Sequence, residues 1–412
     1  MESIRKTTIP HSKFPPKVED LSFEDTRVAF ASKSDDDLRK AYLLFKVIAS
    51  PTIMVVGKHA SLLALKLNLP IKGLIKKTIF HQFCGGETIE DCAQTTKILD
   101  AYHIGTILDY SVEGKDREED FEAGFREIMK TVETADDNHH IPFCVFKVSG
   151  LCSNNLLEKV TSKKELNEKE KEAYERLKTR VDKLCRKAAE TGTPIFIDAE
   201  EYWIQEAIDD LATEMMAKYN REKAIVYNTL QMYRHDRIAH LTVAQAKARE
   251  EGYFYGVKLV RGAYMEKERL RAQEKGYPSP IQPDKEATDR DFDAALLFCL
   301  NHMDNVYFCC GTHNEKSCML LADEMDRRGI ARNDERIYFA QLYGMSDHIS
   351  FNLSKAGFNV AKYVPYGPVN EVMPYLIRRA EENTSVQGQT GRELNLLGRE
   401  LKRRRQTKGN RS

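Results

Sequence analysis

From Gly105 onward the chain repeats one pattern, a short apolar run followed by a charged stretch of helix-favouring residues. Most of the apolar runs show little alternation, as expected for strands covered on both faces of a parallel sheet. Eight strand-then-helix units are the number that closes a (βα)8 barrel, which we therefore predict. The predicted strands are Thr106–Tyr110, Pro142–Val148, Pro194–Asp198, Ile225–Leu230, Tyr255–Val260, Val306–Cys310, Arg336–Gln341 and Phe358–Val364.

A six-stranded doubly wound sheet is the alternative, and it would normally carry a glycine-rich turn after its first strand. Neither G-x-G-x-x-G nor G-x-x-x-x-G-K-[ST] occurs in the sequence, so a nucleotide would have to be held in another way. Before the barrel, Asp36–Ile48, Ser61–Leu67 and Thr88–Tyr102 have helical spacing. We predict an N-terminal helical region, residues 1–100, packed on a barrel of residues 101–390, and a basic tail of residues 391–412.

Charged residues outside the predicted strands have mostly structural interpretations. The stretch Ser162–Glu190 is rich in Lys and Glu and predicts a solvated helix. The basic residues Lys402–Arg405 predict a frayed end, with contact to an anionic membrane surface as the alternative. The whole chain has 63 Lys+Arg and 63 Asp+Glu among 412 residues, so its net charge excludes a strongly basic nucleic-acid binder.

The sequence also bears on the compartment. No apolar run reaches the ~20 residues that span a bilayer, and Met1–Glu19 lacks the apolar core of a signal peptide. Nine cysteines without a C-x-x-C pair favour a reducing compartment over a disulfide framework or a zinc site. We expect a cytoplasmic protein, with peripheral contact at the inner membrane face as the remaining alternative.

Polar side chains are concentrated at the ends of the predicted strands, where a barrel places its chemistry. Successive side chains of a strand alternate between its two faces, so Asp198 and Glu200 should point to the same side. The pair is then an acid-base pair, a set of metal ligands or a set of salt-bridge partners. No third ligand stands at suitable spacing, so we predict no metal site. Lys147 is either a paired structural lysine or part of a site. His313 is a proton shuttle, a cofactor contact or a structural histidine.

The helix predicted after the eighth strand, residues 374–383, carries the adjacent arginines Arg378 and Arg379. Arg379 shares a face with Glu382. Adjacent arginines ordinarily belong to a solvated face. The functional alternative is a pair of guanidinium groups that clamps a carboxylate, because planar bidentate donors fit that anion.

Together these stretches resemble the proline dehydrogenase family, over about 300 residues from Gly85 through the C-terminal region. The motifs stand in the order that the family has, which makes the resemblance specific. They are Leu108–Gly114, Ile197–Glu201, Lys258–Tyr264, Gly311–Asn314, Gln341–Met345, Tyr363–Gly367 and the pattern Arg378-Arg379-x-x-Glu382.

The resemblance implies a distorted (βα)8 TIM-like barrel whose last helix caps the mouth. It also implies FAD-dependent oxidation of L-proline to 1-pyrroline-5-carboxylate by hydride transfer to flavin N5. By resemblance, Arg378, Arg379 and Lys147 bind the proline carboxylate and Asp198 orients them. Tyr264 and Tyr363 would wall the ring, Glu113 would pair with Arg379 as a gate, and Glu382 would compensate charge. The positions that match FAD contacts are Gln231, Lys258, Val260, Arg261, Gly262, Ala263, Thr312 and His313.

Lys258 and Arg261 stand in the reverse order of one version of the family, so a point charge replaces a guanidinium fork at the first of them. The bulky Tyr363 favours proline over hydroxyproline. The resemblance further implies that electrons pass to a quinone. It implies too that the product goes to a separate pyrroline-5-carboxylate dehydrogenase, because the sequence contains no such domain.

Two other functions stay open on the residues alone. A Schiff-base lyase or aldolase would use Lys147 or Lys258 as its nucleophile, and borohydride would trap it. A binding protein would hold proline without turnover. For the oxidation itself the amine must be neutral, and no strong base among the strand-end residues obviously takes its proton. We therefore expect a raised pH optimum.

Overall fold

The computed structural model describes residues 21–50, 72–112, 114, 116–136, 138–385 and 389–409. The predicted helix Ser61–Leu67 and the side chains of residues 381–390 lie outside this description. Within the described ranges, no helix is both long and apolar enough to cross a bilayer.

Eight strands form one parallel sheet in the order β1-β8-β7-β6-β5-β4-β3-β2, which confirms the predicted barrel. The edge strands β1 and β2 lie side by side, so the sheet is nearly closed. Next to this seam the Thr106 N–H donates to the His140 carbonyl (2.7 Å). The strands are β1 Ile104–Tyr110, β2 Cys144–Phe146, β3 Ile195–Ile197, β4 Val226–Gln231, β5 Tyr255–Val260, β6 Val306–Gly311, β7 Ile337–Leu342 and β8 Val360–Tyr366.

Strands β2 and β3 are shorter than the sequence predicts. Each predicted run begins with a proline, Pro142 or Pro194, which has no N–H to donate to a strand ladder. After β2 the chain turns at once into a single 3₁₀ turn, Val148–Gly150. Asp198 and Lys147 therefore lie just beyond their strands, where side chains face the mouth of the barrel.

The helices alternate with the strands and cover the outside of the sheet. The helix predicted within Ser162–Glu190 begins later, at Glu168, where Asn167 and Glu170 form a capping box. In chain order the helices of the described residues are α1 Thr26–Ala29, α2 Asp35–Ile48, α3 Lys72–Ile75, a π-helical turn Lys76–Phe80, α4 His81–Phe83, α5 Ile89–Asp100, α6 Glu118–Ala135, α7 Asn154–Thr161, α8 Glu168–Thr191, α9 Tyr202–Tyr219, α10 Arg237–Glu250, α11 Met265–Lys275, α12 Lys285–Asn301, α13 Glu315–Arg327, α14 Asp347–Lys355, α15 Met373–Ser385 and α16 Gln389–Gly409.

The basic C-terminal segment is a helix, so the expectation of a frayed end at Lys402–Arg405 is wrong. Leu396 and Leu397 of α16 are buried in the same apolar cluster as α2. Glu400 is also buried and accepts hydrogen bonds from Thr26 (2.9 Å) and Arg404 (2.7 Å). Buried apolar side chains and the shared carboxylate of Glu400 therefore hold this helix against the N-terminal helices. The excess of Lys and Arg in the sequence gives no indication of this packing.

The N-terminal helices also pack on the barrel. The Gly85 N–H donates to the Pro365 carbonyl (2.9 Å), and Gly86 pairs with Tyr366 at the end of β8. The predicted helices Asp36–Ile48 and Thr88–Tyr102 are confirmed as α2 and α5.

Aromatic rings fill the inside of the barrel. Phe143 stacks on Phe196 (4.4 Å between ring centroids), and Tyr227 meets both rings edge-on. The Lys258 ammonium lies 4.8 Å from the Phe196 ring and 4.7 Å from the Tyr363 ring. The interior below this level is packed, so any chemistry is confined to the carboxyl ends of the strands.

All nine cysteines lie in the described ranges and are buried as free thiols. Cys309 belongs to the cluster inside the barrel, whereas Cys310 belongs to the layer between sheet and helices. Both are core residues, as predicted.

Candidate active site

Three side chains from distant strands meet on the floor of the mouth. Tyr363 lies on β8, and its hydroxyl donates to Oδ2 of Asp198 (2.6 Å), a residue that follows β3. The Lys258 ammonium, on β5, binds the other oxygen of Asp198 and lies 3.5 Å from the Tyr363 hydroxyl. Burial holds the pKa of Tyr363 well above its ordinary value, so this hydroxyl stays a donor. Closure of the barrel brings these strands together.

A second carboxylate, Asp109 at the end of β1, holds Lys147. The Lys147 ammonium lies 3.3 and 3.4 Å from the two oxygens of Asp109, and the Ser111 hydroxyl donates to the same group (2.5 Å). Asp109 is 2% exposed, whereas the Lys147 side chain is 15% exposed. Asp109 is therefore a partner of Lys147 in the structure, and Asp198 binds Lys258. The position of Asp109 at a strand end is a signal in the sequence, although the predicted site does not include this residue.

Glu200 contacts a different set of groups from Asp198. It accepts from the Ser149 backbone N–H (2.9 Å) and the Ser149 hydroxyl, in the turn after β2. Strand β3 ends at Ile197, so the period of two that placed both carboxylates on one side does not extend to Glu200. Burial raises the pKa of Glu200 to about 7.

The two adjacent arginines lie close to residues that follow the strands, Arg378 to Tyr264 and Arg379 to His313. Arg378 is 5.8 Å from the ring of Tyr264, which follows β5, and Arg379 is 5.4 Å from the ring of Tyr375. Arg379 is 8% exposed, which excludes a solvated face for it. Apolar residues on and just before α15, such as Leu376, are buried in one cluster with the N-terminal helices, which holds this helix in place.

The predicted cofactor positions surround this centre on β4, β5 and β6. Gln231 donates to the Glu200 carbonyl (2.6 Å). Arg261 donates to Asp289 (2.7 Å), Thr312 (2.6 Å) and Ser317 (2.9 Å), so its guanidinium binds protein groups. Val260 ends β5 and accepts at its carbonyl from the Met232 N–H (2.8 Å); Ala263 lies in the turn that follows.

Gly262 and His313 each have a restricted geometry. Gly262 has φ +127°, and a Cβ there would lie 2.6 Å from the Tyr233 ring, so only glycine fits the turn. His313 Nδ1 lies 2.9 Å from the Ser346 hydroxyl. Burial, with Lys362 and Arg379 nearby, lowers the pKa of His313 to about 3, so the ring is neutral.

Two predicted residues cannot be placed in the site. Glu113 and the side chain of Glu382 lie outside the described residues. Their roles as gate and as compensating charge stay predictions.

Comparisons with known proteins agree with this architecture. Residues 92–392 match the family model described as proline dehydrogenase. The carbapenem antibiotics biosynthesis protein CarD of Pectobacterium carotovorum is 34% identical over 366 residues, 88% of this chain and 94% of CarD. Proline dehydrogenase 1, mitochondrial, of Dictyostelium discoideum is 32% identical and covers 92% of this chain, which spans 74% of that protein.

Other matches are to longer proteins. Human proline dehydrogenase 1, mitochondrial, is 43% identical over 255 residues, 61% of this chain, and this chain spans 42% of the human protein. The crystal structure of proline utilization A from Bdellovibrio bacteriovorus, inactivated by N-propargylglycine, superposes with a TM-score of 0.68. It covers 87% of this chain, which spans 38% of that protein, and at 20% identity it is a likeness of fold. The chain belongs to the proline dehydrogenase family of oxidoreductases.

Proposed function

We propose that this chain oxidises L-proline to 1-pyrroline-5-carboxylate, the first step of proline catabolism to glutamate, with FAD as hydride acceptor at flavin N5. The observation that supports this most is the position of Arg378 and Arg379 close to a mouth that also contains Lys147 and the rings of Tyr264 and Tyr363. Guanidinium groups and an ammonium group suit a carboxylate attached to a small apolar ring.

Charge balance supports an anionic substrate. Lys147 and Lys258 bind the carboxylates of Asp109 and Asp198. The guanidinium groups of Arg378 and Arg379 are also positive, and cationic groups of this kind suit a substrate carboxylate. The clamp then acts mainly by orientation, because hydride loss requires the reacting carbon to be held within about 3.5 Å of its acceptor.

The residues present fit a flavin. Gln231 leaves its amide oxygen as an acceptor for a ring N–H, and the neutral ring of His313, whose nitrogens face Ser346 and Leu342, would pack against the cofactor. The Lys258 ammonium is a buried positive charge of the kind that stabilises an electron-rich reduced ring. With Val260, Gly262, Ala263 and Thr312 these residues would hold FAD, which supplies hydride acceptance when bound. Arg261 would act through Thr312, since its own nitrogens are engaged.

The further partners are also proposals. Electrons would pass to a quinone, by peripheral contact with a membrane, and the product would leave for a separate pyrroline-5-carboxylate dehydrogenase. The Schiff-base alternative is disfavoured, because its nucleophile must be a neutral amine, whereas Lys147 and Lys258 are both ion-paired.

Absorption spectroscopy tests the function directly. The purified protein should be yellow, and proline should bleach it without oxygen.

In turnover assays Arg379→Met should raise the KM for proline about a hundredfold, because a charge-assisted bidentate contact is lost, and it should leave the flavin content unchanged. Arg399→Met, at a surface arginine that binds Glu24, is the matched control and should change neither. A colourless protein that borohydride traps with substrate would overturn the proposal, and loss of flavin in Arg379→Met would overturn the assignment of the clamp.

A further inference from the structure

The turn between β7 and α14, residues 343–346, is in an unusual conformation. Ser346 has φ 51° and ψ 40°, a left-handed geometry that residues other than glycine rarely adopt. Left-handed residues of this type persist only where their surroundings hold them in place. Here the Ser346 N–H donates to Glu393 (2.5 Å).

Three separate parts of the chain hold this turn. Gln82, from the N-terminal region, donates to the Gly344 carbonyl (2.6 Å). Lys362 of β8, which is fully buried, donates to the Met345 carbonyl (2.5 Å). Glu393 of α16 holds Ser346. The turn is therefore fixed by groups outside β7 and α14, the two elements that it joins.

What the turn presents to the site is the Ser346 hydroxyl, 2.9 Å from His313 Nδ1. On the other side of the ring the Leu342 N–H faces Nε2 at 3.5 Å. A neutral histidine that accepts at Nε2 carries its proton on Nδ1, which then donates to Ser346. These two contacts define one tautomer and one orientation of the ring.

Glu393 is in turn fixed by burial. It is 6% exposed, and His348 Nδ1 lies 3.9 Å from its carboxylate. The adjacent Arg392 binds Glu315 (2.8 Å), which also contacts His348 (3.0 Å). The N-terminal part of α16 is thus held by contacts with Glu315 of α13 and His348 of α14.

We propose that Ser346 and Glu393 are positioning residues for His313. Glu393 keeps Ser346 in its left-handed conformation, and the Ser346 hydroxyl then fixes the tautomer and orientation of the His313 ring at the barrel mouth. The link to catalysis rests on the proposed function, in which His313 contacts the cofactor. The C-terminal helix then acts on the site without touching substrate.

The imidazole ¹⁵N spectrum of histidine-labelled protein, recorded without substrate, tests the geometry. The His313 signals, assigned by their loss in His313→Gln, should show a single neutral tautomer that does not titrate between pH 5 and 8. Ser346→Ala and Glu393→Ala should move them towards mixed tautomers and lower kcat about tenfold, the loss of one hydrogen bond. Glu393→Gln should preserve both properties, because its amide oxygen still accepts from the Ser346 N–H.

Glu400→Ala is the matched control, since it removes a buried carboxylate of α16 that binds Thr26 and Arg404 and has no contact with the turn. It should lower stability and leave the His313 signals unchanged. Unchanged signals and kcat in both Ser346→Ala and Glu393→Ala would overturn the proposal, as would equal changes in Glu400→Ala. If wild-type protein fails to oxidise proline, the proposed function is wrong, while the spectra still decide whether the turn positions His313.

Discussion

At the scale of residues, the site consists of contacts between groups far apart in the sequence. Tyr363 lies 165 residues from Asp198, and Lys147 lies 38 residues from Asp109. The residue types at the strand ends could be predicted, because parallel strands end at one edge. Which carboxylate binds which lysine could not, since that depends on strand tilt and on rotamers across the closed barrel.

The Tyr363 hydroxyl can be removed without removing the ring. Tyr363→Phe leaves Asp198 Oδ2 without its 2.6 Å donor, and a hydrogen bond to a charged group contributes roughly 1.5–3 kcal/mol. We expect kcat/KM for proline to fall at least about tenfold. Tyr366→Phe, on the same strand but bound to Glu127 of α6 (3.3 Å), should leave kcat/KM unchanged. Equal effects of the two variants in steady-state kinetics would contradict a special role for Tyr363.

Glu200 gives a pH dependence of stability. Its pKa is raised to about 7 in the folded protein from an ordinary value of 4.5, so the folded state binds the extra proton between these values. Its contribution is fully present below pH 4.5 and is lost as pH rises through 7, by at most about 3 kcal/mol. Urea unfolding of wild type and Glu200→Gln should therefore diverge, with wild type losing relative stability from pH 4.5 to 8. Parallel curves would show that Glu200 does not titrate in this range.

At the scale of elements, the pattern of apolar and polar residues predicted the strands and most helices. It could do so because each strand is covered by helices that are close to it in the sequence. The pattern failed where long-range contacts decide. The sequence of α16 predicts a basic tail, whereas in the structure Leu396 and Leu397 pack in the same apolar cluster as α2. The left-handed conformation of Ser346 has no signal in the residues beside it, because it depends on Glu393 of α16. Gln82 and Lys362 hold the adjoining carbonyls of Gly344 and Met345.

A comparison of Gly344, in this turn, with Gly276, which follows α11, separates the cost of backbone strain from the cost of packing. Gly344 and Gly276 have nearly equal φ, +75° and +72°, but a Cβ on Gly344 would lie 1.9 Å from the Gln82 carbonyl oxygen, whereas Gly276 has open space. Gly276→Ala should cost about 1 kcal/mol for the left-handed backbone alone. Gly344→Ala should cost at least ~2 kcal/mol more, because backbone must move. The free energy of unfolding in urea measures both, and equal costs would show that Gln82 does not constrain the turn.

At the scale of the whole molecule, the helices at the two ends of the described chain join on one side of the barrel. Arg404 of α16 binds Asp35 of α2 (3.0 Å), and Arg392 binds both Glu24 and Glu315. Such partly exposed pairs contribute little individually. The buried Glu400 and the apolar cluster contribute more. The barrel and these flanking helices should therefore unfold together.

The nine buried thiols give a test of that cooperativity. Burial raises the pKa of Cys92 and of Cys144 to about 12, and that of Cys185 further, so these three are poor nucleophiles. All nine thiols are buried, which keeps them from a reagent in solution. The native protein should release no chromophore from a thiol-reactive disulfide reagent at pH 8, and the urea-unfolded protein should release nine equivalents. Partial reaction before the main transition would show that one part of the chain opens alone.

An inert native surface has a practical consequence. A cysteine introduced at an exposed position of α15 would be the one thiol that a maleimide dye finds, with every native cysteine left in place. The emission of such a dye would follow the movement of the helix that carries Arg378 and Arg379 as ligand arrives and leaves.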